Sequence, residues 1–283
     1  MAVKKSTRKP VKPSVSAPNV HRILNVVPSH NTENDWTFGD AEVAGVLGAG
    51  VAGGAAPPPS SVDLRADWWE IGDQGSTGSC VGWASTDGVM RYELVKANKI
   101  TRTAQLSTRF TWMASKETDE FTNRPQTFIE AAGTSLKAAL DICRKYGVVH
   151  ESLLSFNLGE YMYLGNENAF YLAAAQLKAA SYVNIGKNLQ SWRSVLAQKK
   201  PILVALSVDD SWNRANDNGG EIDSFLPNTV SGGHAVCVVG YRSDGHFIVR
   251  NSWGTGWGDR GFAYVSANYI NAAFWDECYT VNI

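Results

Sequence analysis

Three short segments of this 283-residue chain carry side chains able to do chemistry. The first is Gln74-Gly-Ser-Thr-Gly-Ser-Cys80, which runs straight into the apolar stretch Val81-Gly82-Trp83-Ala84. A loop that enters a helix at a thiol sets that thiol among unpaired N–H groups and roughly half a positive charge, which favours the nucleophilic thiolate. The glycines let backbone approach a substrate closely, and Gln74 offers amide donors to a developing oxyanion. Taken alone, the stretch reads better as a capped helix around a buried cysteine. Two downstream segments change that reading: Ser231-Gly-Gly-His234-Ala-Val and Asn251-Ser-Trp253-Gly-Thr-Gly-Trp257-Gly. A cysteine followed at a distance by a histidine and then an asparagine is the order of a Cys-His-Asn acyl-transfer site.

On these residues the chain resembles the papain-like cysteine proteases across residues 61–283. The shared features are a Gln six positions before the Cys, Gly-Ser-Cys, Gly-His-Ala, and Asn-Ser-Trp-Gly-x-x-Trp-Gly. The resemblance implies an α+β fold of two lobes with the cleft between them: a helical lobe over about 61–165 and an antiparallel, barrel-like β lobe over about 166–283. It implies that Cys80 attacks a peptide carbonyl and that His234 is general base and then acid. Asn251 would orient the imidazole, and the Gln74 side chain with the Cys80 N–H would form the oxyanion hole. Trp253 would cover the Asn–His hydrogen bond. Gly232, Gly233, Ala235, Trp253 and Asp276 are the implied substrate-binding set. The small residues before and after His234 would leave room for a bulky side chain, and Asp276 or Glu277 on the floor would tolerate a basic one. Two positions depart from the family pattern. Thr77 stands where secreted members have a disulfide cysteine, and Val81 replaces an aromatic residue, with Trp83 filling part of that volume.

Other chemistries find less support. His21, His30, His150 and His246 read as structural, the last as part of the Asp244-Gly245 turn. His234 and Cys237 are three apart in a strand-like run and face opposite ways, so no metal is expected there, no zinc-type spacing occurs elsewhere, and no cofactor is implied. Gly48-Ala-Gly50-Val-Ala-Gly53 matches a dinucleotide fingerprint in form only, because Pro57-Pro-Pro59 forbids the helix it requires. A related acyl transfer (amidase or peptide ligase) and a non-catalytic papain-fold binding protein remain as alternatives, the second disfavoured by the intact Gln, Cys, His and Asn.

Charge and composition set the surroundings. Six of the 26 basic residues (Lys4, Lys5, Arg8, Lys9, Lys12, Arg22) precede the first acid, Glu33, leaving 20 against 27 acids, or −7, over residues 33–283. A short solvated tail explains the basic run better than nucleic-acid binding does. Four cysteines, one of them the nucleophile, leave three that cannot all pair, so no disulfide framework is expected. With no signal-like or membrane-spanning apolar run, a cytoplasmic location is the expectation.

The chain divides into a disordered basic tail (1–19), a candidate pro-segment with a Gly/Ala/Pro-rich linker (20–60), and the catalytic region (61–283). Trp36 and Phe38, ahead of a cleavable linker, suggest inhibition in cis, against the alternative that they patch the core permanently. Helices are expected over Cys80 to about Ala97, Leu106 to about Lys116, Ser135 to about Tyr146, 168–180, and Leu189–Gln198. Strands are expected at 202–206, 235–239, 247–249 and 262–265, with Asp209–Asn228 as a loop over one edge of the cleft.

Overall fold

The computed structural model describes residues 21–47, 57–118, 129–157 and 165–283. The basic tail and most of the Gly/Ala linker lie outside these residues. Helix α1 (Phe38–Val43) is followed by β1 (Val62–Asp63). The central helix begins as α2 (Cys80–Gly82), continues as π-helix through Trp83–Met90, and ends as α3 (Arg91–Lys96). Helices α4 (Thr108–Thr118), α5 (Leu136–Lys145) and α6 (Glu167–Ala175) pack beside it. The remainder is β2 (Ser181–Asn184), α7 (Leu189–Ala197), β3 (Ile202–Val208), α8 (Asp210–Asn213) and β4 (Glu221–Ile222), then β5 (Gly232–Tyr241), β6 (Phe247–Arg250), β7 (Phe262–Val265), α9 (Ala267–Ala273) and β8 (Phe274–Asn282).

The helices start and stop where local chemistry dictates. Ser135 caps α5 by accepting from the Ala138 amide, and Gly147, at φ +101°, ends it. Val81, Ala84, Val89 and Leu94 of the central helix are buried. Gly88 lets that helix meet the sheet, since a Cβ there would stand 3.1 Å from Cys237 of β5. Between helix and sheet, Asp87 is buried with two guanidinium groups, Arg91 at 2.9 Å and Arg250 of β6 at 2.6 Å. Removing either kind of partner would strand a buried charge.

The sheet corrects the barrel expectation. Its strands run β2-β8-β3-β5-β6-β7-β4, an open order with β1 paired to β5, and β4 joins β7 in parallel. Strands β2 and β8 were not foreseen. The Ala-rich helix ends at Ala175, not near residue 180, which frees Ser181–Asn184 to pair along β8. The lobe boundary also moves. β1 is hydrogen-bonded into the sheet, whereas Phe170 and Ala174 of α6 share a separate cluster with Phe110, Ile142 and Val149 of the helical side. The 209–228 segment is more than a loop, because α8 carries Trp212 into the core.

The leader is built into the same body. Val26, Ala41 and Leu47 are buried in the main hydrophobic cluster, and Thr37 with Asp40 forms a reciprocal capping box at the start of α1. The Asn184 amide donates to the Trp36 carbonyl, so the leader runs along the edge strand β2. Of the two expected aromatics, Trp36 is 49% exposed, whereas Phe38 is half-buried against the main cluster, as a patch on the core would be.

Candidate active site

Cys80 is the first residue of the central helix and is fully buried. Its thiol lies within hydrogen-bonding reach of the Ala235 backbone, one residue past His234 on β5. The two ends of the long sequence separation are thus brought together by the packing of helix on sheet. The His234 Nε2 pairs with the Asn251 Oδ1 at 2.7 Å, while Nδ1 is buried with no hydrogen-bond partner among the described residues. An imidazole held through one nitrogen leaves the other to exchange a proton.

Indoles enclose this pair. The Trp253 ring lies over the imidazole at 4.8 Å between centroids, and Trp212 meets it edge-on at 5.8 Å. Trp257 stacks on Trp212 and donates from its indole nitrogen to the Trp212 carbonyl at 2.9 Å. Water excluded in this way strengthens the His–Asn hydrogen bond. Trp212 was missed in the sequence because it stands alone in a polar run; its one signal was a large indole amid Asp, Asn and Gly.

Gln74 is tied directly to the Asn251 segment. Its amide donates to the Ser252 carbonyl at 2.8 Å, and its side-chain Oε1 accepts from the Ser252 hydroxyl at 2.8 Å. That bond orients the side-chain nitrogen, one hydrogen of which goes to the Thr77 carbonyl at 2.9 Å. The other remains for a ligand oxygen. Ser252 is therefore a positioning residue that the sequence did not single out.

The leader fills the space in front of these groups. The Val26 amide donates to the Gly233 carbonyl at 3.2 Å on one wall, and the Val27 amide to Thr134 at 3.1 Å on the other. The Asn25 side chain donates to the Ala131 carbonyl. Gly133 makes this passage possible, as a Cβ there would be 1.9 Å from the Asn25 carbonyl oxygen. Arg22 closes one end. It reaches Asp73 at 2.5 Å and the carbonyls of Gly75 and Trp253 at 3.2 Å each.

Burial decides the protonation states. Desolvation pushes the Cys80 thiol up to about 11, against the opposing pull of the Ala235 and Val81 amides. Desolvation also pushes His234 down to about 4, with Asn251 opposing and the Arg22 charge adding to the depression. Covered, the pair is a neutral thiol and a neutral imidazole.

The expected subsite is altered in detail. Gly232 and Gly233 line the cleft, but the room above Gly233 is taken by the Trp275 ring, 2.4 Å from where a Cβ would be, so this wall is not open to a bulky side chain. Ala235 is buried beside the thiol, and Trp253 covers the imidazole. Asp276 is exposed, at φ +59°, on the rim of a hollow of about 470 Å³ shared with Trp275, Glu277 and the leader's Pro28 and Ser29. Glu277 is the buried acid there, accepting from the Ser29 amide at 3.1 Å. Burial raises its pKa, with the Ser29 contacts opposing.

The other titratable groups lie elsewhere. Cys143, Cys237 and Cys278 are free and buried. His246 meets Asp244 at 3.1 Å as expected, and also Asp223 at 2.7 Å, with Glu221 nearby. Glu221, Asp223 and His246 bring ligand atoms within 4.8 Å of one another, a grouping that could hold a metal ion and that sequence spacing did not reveal, and Arg242 already pairs with Glu221 and Asp244. Among the described residues no helix is long and apolar enough to cross a membrane.

Comparison with known proteins agrees with this geometry. The family model for papain family cysteine protease matches residues 58–280. A cathepsin L-like proteinase of Fasciola hepatica is 26% identical over 219 residues, which cover 75% of this chain and 62% of that one. Among solved structures, xylellain, a cysteine protease from Xylella fastidiosa, shares the fold with a TM-score of 0.69 at 20% identity, covering 92% of this chain and 96% of that one. Digestive procathepsin L 3 of Tenebrio molitor larval midgut does so with a TM-score of 0.63 at 21% identity, covering 81% and 71%. The helix that begins at Cys80, the strand that carries His234 and the Asn251 turn all fall within the matched span, and the chain belongs to the papain family of cysteine proteases.

Proposed function

We propose that this chain is a cysteine endopeptidase held inactive in cis by residues 22–29. The observation that carries the reading is the occupied cleft: an extended segment hydrogen-bonded to Thr134 on one wall and, on the other, to Gly233, the residue before His234. A peptide substrate needs the same two backbone partners, so leader and substrate compete. Family membership and the likeness to procathepsin structures support both halves of the proposal.

When the strand leaves, water returns and the burial that keeps the pair neutral is relieved. The free Nδ1 of His234 then takes the Cys80 proton, and the thiolate attacks the scissile carbonyl carbon. The oxyanion is met by the remaining Gln74 hydrogen and the Cys80 amide. His234 returns its proton to the leaving amine, and water hydrolyses the thioester. Asn251, under Trp253, keeps the ring from turning.

The test is cleavage of a mixed peptide library under reducing conditions by the Arg22→Ala chain, with and without Cys80→Ala. Arg22→Ala should cut, and the double variant should not. Cutting that survives Cys80→Ala overturns the assignment of the nucleophile. Absence of both cutting and thiol labelling in Arg22→Ala overturns the inhibitory role.

A further inference from the structure

At the far end of the central helix the chain forms an open basin of about 940 Å³, unrelated to the cleft. It lies roughly 20–25 Å from Cys80, given about 1.5 Å per residue along the helix. Its rim comes from both halves of the molecule. The turn after α3 and the segment near His150 supply one side; the turn after α7 and the start of β1 supply the other.

The charge at this rim runs against that of the domain. Residues 33–283 carry a formal excess of seven acids, yet the basin is lined by Arg65, Lys96, Lys99, Arg102, Lys199 and His150, with Asp63 as its acid. Two of the cations are already matched. Arg65 holds Asp63 at 2.7 Å, and Lys96 lies 3.5 Å from Glu93 and donates to the Lys199 carbonyl at 3.0 Å. The side chains of Lys99, Arg102, Lys199 and His150 meet no carboxylate among the described residues.

The backbone beneath these groups is fixed. The Arg102 carbonyl accepts from Arg91, itself bound to the buried Asp87. Lys199 is held at φ +59°, a conformation costly for a side-chain-bearing residue, with its amide bonded to Leu196 and its carbonyl to Lys96. Cations repelling one another from fixed backbone around one hollow are relieved by a multivalent anion. The floor is aromatic: Trp68 and Tyr92 stack there at 6.1 Å.

We infer that this basin binds a compact polyanion carrying two or more phosphate or sulfate groups, coordinated by Lys99, Arg102, Lys199 and His150. The inference is independent of proteolysis.

The test is calorimetric titration of the full chain with tripolyphosphate at low and at physiological salt, in parallel with ATP. Saturable one-to-one binding is expected, weakened about tenfold or more by Lys99→Glu/Arg102→Glu, since charge-assisted contacts are lost and repulsions gained. Both residues are exposed, so the fold should survive, as unchanged thermal melting would verify. Tighter binding of ATP supports the site and brings in the aromatic floor; equal binding supports it through phosphate alone. A third chain, with Lys4, Lys5, Arg8, Lys9 and Lys12 changed to Ala, should bind as the native chain does. No saturable binding, binding indifferent to Lys99→Glu/Arg102→Glu, or binding lost only in the tail variant would overturn the inference.

Discussion

Arg22→Ala is the substitution whose consequence is best defined. The side chain joins the leader to the loop before Cys80 and to the turn after Asn251 through one ion pair and two hydrogen bonds to carbonyls, and its guanidinium lies 5.7 Å from the Trp253 ring centre. Asp73 is half-exposed, so the ion pair contributes about 0.5–1 kcal/mol. Each carbonyl hydrogen bond adds about 1 kcal/mol, and the ring contact about 0.5 kcal/mol. Losing a sum of about 3–3.5 kcal/mol raises the fraction of chains with an open cleft by about 150- to 300-fold. The assay is the rate of Cys80 alkylation by iodoacetamide in the intact chain, which reports the open fraction when the strand opens and closes faster than the reagent reacts. Removing Arg22 also removes a positive charge that disfavours the imidazolium, so both effects act in the same direction. A folded Arg22→Ala chain that alkylates at the native rate would refute the idea that this strand guards the thiol.

Other perturbations test neighbouring parts of the argument. Gly133→Ala should eject the cleft segment by steric conflict with the Asn25 carbonyl and speed Cys80 alkylation in the intact chain; alkylation at the native rate contradicts it. Glu277 gives a pH dependence of definite sign. Its pKa is raised while the leader covers it, so its contribution to docking is present at low pH and is lost as pH rises through the raised value. The groups that face it or contribute to its shift are Ser29 and Asp35 of the leader and Tyr279 of β8, with Lys137 of α5 paired to Asp35 at 2.5 Å. The ratio of alkylation rates, native over Glu277→Gln, should therefore climb from about one as pH increases above the ordinary glutamate range; a flat ratio contradicts it. Asp87→Ala leaves two buried guanidinium groups without their acid and should cost about 3–5 kcal/mol in urea denaturation; a loss below about 1 kcal/mol would mean that water reaches this pair.

How much of this was legible depends on where the determining contacts lie. The helix starting at Cys80 declares itself by a glycine-rich approach and an apolar period, both local. Ser135 and Gly147 bracket α5 for equally local reasons. Strand β8 was hidden because a central strand here carries Asp276 in a left-handed conformation and buries Glu277 and Thr280. Their partners lie in the leader and around Pro201, far away in sequence. Closure into a barrel came from resemblance alone, and the open order β2 to β4 replaces it. In the leader, the aromatic pair drew attention, yet Trp36 faces solvent and Phe38 packs on the core, while Arg22, Asn25 and Val26 make the cleft contacts. Nothing in their types announces this, because their partners are backbone groups of Gly233, Ala131, Gly75 and Trp253 and the Asp73 carboxylate, all far away in sequence. Ser252 escaped notice for the same reason: its role is to orient Gln74, 178 residues earlier.

The leader performs two separable tasks along its length. In the proposed reading residues 22–29 guard the cleft, with Val26 seated in the core, whereas Ala41 and Leu47 complete the core elsewhere and Trp36 satisfies the exposed rim of β2. Between them His30, Asn31, Glu33 and Asn34 are exposed. On that reading, a single nick in that stretch would free the guard with loss of the Leu24 and Val26 packing alone, while leaving the plug in place. Wholesale excision of the leader would instead bare an unpaired sheet margin and a greasy socket, the combination through which folded domains stick to one another.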